Sequence, residues 1–228
     1  MGADANKYFI IYGPPGSGKT TVAQEVCKRI GVSYLSVGEI TRREIATLSD
    51  LGLELKSCLD RVVEYTPELI TRVMKPYILS ARLSGFMLDG YPKYPNEVSP
   101  FISVLEEGNM QISGVLILSL SLREAMERVS NRKVCLGCGK QFSSTIRVCS
   151  SCKGILVRRE DDQPAIFSRR FRDHASTISQ TTSFIRKYVS PEHVFAIDAS
   201  LTTDKVLDQV YGVIDLACLG SSAERAHV

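Results

Sequence analysis

The sequence predicts an α/β fold in which a parallel sheet, flanked by helices, is interrupted by two insertions. Three observations carry this reading. Apolar runs of strand length recur at 7–12, 85–89, 114–120 and 193–198, with a shorter one at 33–36. Helical patterns lie between most of them, and such alternation builds a parallel sheet covered on both faces. Two stretches break the alternation: 37–65, which is helical without a strand, and 131–162, which is polar and carries cysteines. At 228 residues the chain can hold one such domain with its insertions and still bury a sizeable core.

The first run, Tyr8–Tyr12, leads into Gly13-Pro14-Pro15-Gly16-Ser17-Gly18-Lys19-Thr20. A helical pattern follows, with Val22, Ala23, Val26, Cys27 and Ile30 on one face. This is a complete G-x-x-x-x-G-K-[ST] loop in the strand–loop–helix setting that gives the motif meaning. Backbone N–H groups of Gly13, Gly16, Ser17, Gly18, Lys19, Thr20 and Thr21 are placed to cradle phosphates at a helix N-terminus. Lys19 would reach the β- and γ-phosphates, and the Thr20 hydroxyl would face Mg²⁺. The sheet is therefore of the P-loop NTPase type, and the expected ligand is a nucleoside triphosphate.

The stretch 37–65 reads as two short amphipathic helices, the second with Leu51, Leu55, Leu59, Val62 and Val63. Thr66-Pro67-Glu68 reads as an N-cap, a first-turn proline and an early acid. The helix it opens turns Leu69, Ile70, Val73, Met74 and Tyr77 inward, and Pro76 predicts a kink or an early stop. Phe86–Asp89 is a buried strand ending in a carboxylate, at the sheet edge where ligands of open α/β sheets lie. Asp89 there either supports a Mg²⁺ water shell or caps the next turn. The residues from Gly220 on are expected to fray.

Cations cluster along the same edge. Arg42 stands early in the first insertion, and Lys93 just past a strand end. Arg128 and Arg132 are spaced i, i+4, which reads as one face of one helix. Arg159 and Arg170 flank the end of the second insertion, with Asp161 and Asp162 between them. Any one of these could be merely solvated. As a set they make the cage that phosphoryl transfer between two phosphate-bearing ligands requires.

Cys135-x-x-Cys138 and Cys149-x-x-Cys152 supply four thiolates, the ligand set of structural zinc. With no open position, such a metal would hold the insertion's shape and take no part in chemistry. Seven cysteines, four of them so paired, suit a reducing compartment, so a cytoplasmic protein is expected. Cys27, Cys58 and Cys218 read as buried apolar fillers. A net charge of +3 points to no nucleic-acid partner, and no segment approaches the ~18 apolar residues of a membrane span.

Taken together, Gly13–Thr20, Arg42, Asp89, Lys93, the arginines and the cysteine knuckles resemble the adenylate kinase family of nucleoside monophosphate kinases, in its long form with a zinc-binding LID. The resemblance implies a CORE formed by 1–36, 66–130 and 163–228, a monophosphate-binding insertion at 37–65 and a LID at 131–162. It implies the reaction ATP + AMP = 2 ADP with Mg²⁺, in a monomer. Arg42 matches the family's acceptor-phosphate arginine, and Arg128, Arg132, Arg159 and Arg170 its phosphate-binding arginines. Asp161 and Asp162 match the paired LID acids. Several positions depart from the pattern: Lys93 stands for an arginine, Glu97 for the glutamine beside the acceptor base, Val37 for a threonine and Glu39 for an aspartate, while Thr20 replaces a glycine after Lys19 and Phe142-Ser143 an aromatic-histidine pair. Those departures leave open a different acceptor (UMP, CMP, GMP or dTMP) or a weakly catalytic binding module.

Overall fold

The computed structural model describes residues 7–138, 140–158 and 162–223, with side chains to residue 217. Five strands, β1 (Tyr8–Tyr12), β2 (Ser33–Ser36), β3 (Phe86–Asp89), β4 (Gly114–Ser119) and β8 (Val194–Asp198), form one sheet in the order β2-β3-β1-β4-β8. Every pairing is parallel, as the alternation of strands and helices predicts. Side-chain alternation sorts the central strand between two cores. Tyr8, Ile10 and Tyr12 enter one with Phe86 and Leu88, beneath α4 (Pro67–Ser80), α5 (Pro95–Glu107) and α7 (Pro164–Ile185). Phe9 and Ile11 enter the other with Met87, Leu116 and Leu118, beneath α1 (Lys19–Ile30) and α8 (Thr203–Ala223). The sheet is covered on both faces, which is why β1 reads as a continuous apolar run.

The helical insertion is α2 (Val37–Thr47) and α3 (Asp50–Asp60). Thr66 caps α4, its Oγ1 accepting from the Leu69 amide at 3.2 Å. Pro76 neither stops nor shortens α4, which continues to Ser80. The buried Val73, Met74 and Ile78 on either side of it keep the turn packed on the core, and that burial outweighs the one lost backbone bond. At the other end α8 runs to Ala223, and the rest of the segment expected to fray, 224–228, lies outside the described residues.

The second insertion has more order than its polar sequence suggests. α6 (Leu122–Ser130) ends at Asn131, and a three-stranded antiparallel sheet follows in the order β6-β5-β7, from β5 (Arg132–Cys135), β6 (Gln141–Ser143) and β7 (Leu156–Val157). Arg132 therefore opens a strand and does not share a helix face with Arg128. Among the described residues no helix is long and apolar enough to cross a membrane.

Candidate active site

The phosphate loop is shaped by two glycines. A Cβ on Gly13 would sit 2.8 Å from the Leu118 Cβ, so only glycine lets the loop leave β1 beside β4. Gly16 takes φ 84°, a left-handed conformation cheap only without a side chain. The loop then delivers Lys19 to the first turn of α1. Its Nζ donates to the Gly13 carbonyl and, at 3.4 Å, to that of Pro14. Burial lowers the Lys19 pKa, and the Asp89 carboxylate opposes that shift.

Beside this loop lies a cleft of about 590 Å³. Its walls come from Gly16, Gly18, Lys19, Thr20 and Thr21 of the loop and from four further cations, Lys93, Arg128, Arg132 and Arg170. Those cations sit on four different elements, so the cluster is a product of the fold and of no single motif. Arg128 also donates to the carbonyls of Ser200 and Leu201, each at 3.2 Å, at the edge of a smaller cavity of about 270 Å³. Ser17 Oγ is buried without a hydrogen-bond partner.

Arg132 is held by a fork of two bonds to Asp162, Nη2 to Oδ1 at 2.6 Å and Nε to Oδ2 at 3.1 Å. The side chains are only 16% and 6% exposed, so the pair is shielded from water. Arg159 and Asp161 lie outside the described residues. Arg42 is exposed on α2 and does not line the cleft.

Asp89 ends β3 in register with Ser36 of β2 and Ile11 of β1. It is 8% exposed and accepts a 2.7 Å hydrogen bond from the Tyr34 hydroxyl. Burial first, then the neighbouring carboxylate, raises the Tyr34 pKa, so the phenol stays protonated and donating. Asp89 and Thr20 are thus oxygen donors beside the phosphate loop, the hard-ligand chemistry magnesium requires.

Lys93 follows the cis Tyr91–Pro92 bond in a loop whose backbone is tied at every turn. Tyr12 donates its hydroxyl to the Pro92 carbonyl at 2.7 Å, and Thr181 donates to the Lys93 carbonyl at 2.7 Å. Glu97, expected beside the acceptor base, turns its Oε2 to the Lys93 amide at 2.6 Å and the Tyr94 amide at 3.4 Å. That carboxylate caps α5 and fixes the Lys93 loop. Its signature is an acid at the third helical position, which the sequence carries but which a search for base-reading residues passes over. Val37 is the first residue of α2 and packs on the core.

In the second insertion the Sγ atoms of Cys135, Cys138, Cys149 and Cys152 lie within 4.8 Å of one another. Cys135–Cys152 and Cys138–Cys149 separations are 3.3 and 3.5 Å, too long for disulfides. A tetrahedral ion with ~2.3 Å metal–sulfur bonds has sulfur–sulfur edges of roughly 3.8 Å, so the four thiolates fit zinc closely.

Three residues of this region escaped the sequence reading. Tyr34, His174 and Thr181 have no motif of their own, although His174 stands four residues after Arg170 and therefore on the same helix face.

Comparison with known proteins agrees with this geometry. Residues 11–192 match the family model described as adenylate kinase. The adenylate kinase of Pyrococcus furiosus is 32% identical over 185 residues, covering 78% of this chain and 84% of its own. That of Thermosipho melanesiensis is 30% identical over 218 residues, covering 90% and 98%. The family model covers most of the chain, and the chain belongs to the adenylate kinase family.

Proposed function

We propose that the chain transfers the terminal phosphoryl group of Mg·ATP to AMP, giving two ADP, and that AMP is its preferred acceptor. The observation that carries this is the cleft itself, where one phosphate loop and cations from four further elements converge. A triphosphate alone needs the loop. The additional cations neutralise a second phosphate-bearing molecule brought up against the first.

In this reading Lys19 leaves the carbonyls of Gly13 and Pro14 for the donor's phosphates. Thr20 and Asp89 would hold the magnesium ion, which when bound neutralises phosphate charge. Arg128 lies beside the smaller cavity, where the donor base would sit, and Arg132 and Arg170 face the transferred group. Arg42 and Lys93 take the acceptor phosphate, which requires α2 to swing toward the cleft. The 37–65 and 131–162 segments are the two moving parts, with Arg159, Asp161 and Asp162 near the end of the second in sequence. An acceptor phosphate is mostly dianionic near pH 7, its second pKa being about 6. It needs no general base, and positioning with charge neutralisation carries the rate. Closure over both nucleotides excludes water, which suppresses hydrolysis of ATP. Zinc, bound by the four cysteines, would hold the LID rigid. The protein acts as a monomer in the cytoplasm.

ADP formation from Mg·ATP with and without AMP tests this. Turnover should require AMP, with the AMP-free rate at least a hundredfold lower. Equal rates with and without acceptor would refute it.

A further inference from the structure

One face of α7 touches both phosphate sites. Arg170, His174, Ile178, Thr181 and Ile185 recur along it at helical spacing. Ile178 and Ile185 are buried in the core under the sheet and seat the helix. Arg170 and His174 line the cleft. His174 Nε2 lies 2.7 Å from the Gly13 carbonyl oxygen, the first carbonyl of the donor loop. A carbonyl can only accept, so Nε2 carries the hydrogen. Two turns on, Thr181 donates to the carbonyl of Lys93, the cation of the acceptor loop.

The Thr181 bond is a choice among alternatives. Thr177 and Thr182 both bond backward within the helix, to the carbonyls of Asp173 and Ile178 at 2.8 and 2.7 Å. Thr181, with no exposed surface, reaches out of the helix instead. The Lys93 loop is also pinned by Tyr12 and Glu97, so it is a rigid body that α7 grips by one carbonyl. The donor loop is gripped the same way. Seven residues of helix separate the grips by about 10 Å, a length fixed by the helix itself.

We propose that His174 and Thr181 are positioning residues, which set the gap between the donor-phosphate loop and the acceptor clamp through α7. This rests on the two-nucleotide reading above. Neither side chain needs to touch substrate. Each fixes a backbone carbonyl, and the spacing of the two carbonyls sets how closely the reacting phosphates approach. Misplacement by about 1 Å can cost on the order of a hundredfold in rate while each ligand still binds.

The test compares Thr181→Val with Thr181→Ser, and His174→Leu with His174→Gln, in the full-length zinc-loaded protein. The first of each pair removes the donor and the second retains one. Thr181→Val and His174→Leu should lower kcat roughly tenfold to a hundredfold, with KM for ATP and for AMP each within about threefold of wild type. The Ser and Gln variants should recover at least half of the wild-type kcat. A bisubstrate analogue, two adenosines joined through one polyphosphate chain, should bind the Val and Leu variants at least tenfold more weakly, while ATP and AMP offered singly bind as to wild type. Equal losses in the Ser and Val variants, a fall in Tm with kcat unchanged, or a rise in KM at constant kcat would each overturn the proposal. A wild-type protein inert toward AMP would instead refute the acceptor reading, and binding of the linked analogue would then decide the spacing by itself.

Discussion

The Tyr34 hydroxyl donates to Asp89 Oδ2 across 2.7 Å, tying the edge strand β2 to the carboxylate that ends β3. Asp89 is nearly buried and is held by a phenol, so its orientation is set before any ligand arrives. A hydrogen bond to a charged group contributes about 1.5–3 kcal/mol. Tyr34→Phe should therefore raise the free Mg²⁺ needed for half-maximal rate by up to roughly tenfold to a hundredfold, and lower Tm by a few degrees. Initial rates titrated against free Mg²⁺ at saturating nucleotides check this. An unchanged magnesium requirement would show that Tyr34 is only a core neighbour.

The Arg132–Asp162 fork joins the first strand of the 131–162 insertion to the segment that leaves it. Breaking a shielded pair from one side strands the other charge, at a cost of up to about 3–5 kcal/mol for full burial. Asp162→Asn should thus loosen the LID and raise KM for ATP severalfold, because Arg132 loses its anchor. Limited proteolysis within 131–162 together with ATP kinetics reads both effects.

Zinc removal by a chelator, or Cys149→Ser, should melt the LID alone. Cys149 is buried among the other three thiolates, so its loss leaves no four-ligand site. Far-UV circular dichroism should retain the signal of the α/β core, metal analysis should find less than one zinc per chain, and kcat should fall. A metal-free wild-type protein with unchanged Tm would contradict the assignment.

Stability should fall on acidification through the titration of His174. Burial first, then the charge of Lys19, pushes its pKa down from 6.5 to about 4. The folded ring stays neutral where the unfolded ring takes up a proton. The contribution is thus full above pH 6.5, declines as pH drops through the window from 6.5 to about 4, and is gone below it. A shift of that size is worth at most about 3 kcal/mol. His174→Gln should flatten Tm against pH in that window relative to wild type. Parallel curves would mean that another group dominates.

Most of the sheet is legible in the sequence, because each strand is a short apolar run set off by a helix or a glycine. The phosphate loop and the cysteine knuckles are legible for a sharper reason: their spacing is dictated by the ligand. Long-range relationships are not. Pro76 looks like a helix stop until Met74 and Ile78 are seen buried on either side. Arg128 and Arg132 look like helix neighbours until Asn131 ends α6 and a strand begins. Glu97 looks like a base reader, but its position three residues after Tyr94 makes it a cap. Tyr34, His174 and Thr181 act through residues 55, 161 and 88 positions away, which no local pattern encodes.

The most direct test of the account is the rate of ADP formation from Mg·ATP with AMP, UMP, CMP, GMP and dTMP offered one at a time. As the chain belongs to the adenylate kinase family, AMP should give the highest kcat/KM, by at least tenfold. A higher kcat/KM with any other monophosphate would contradict the account.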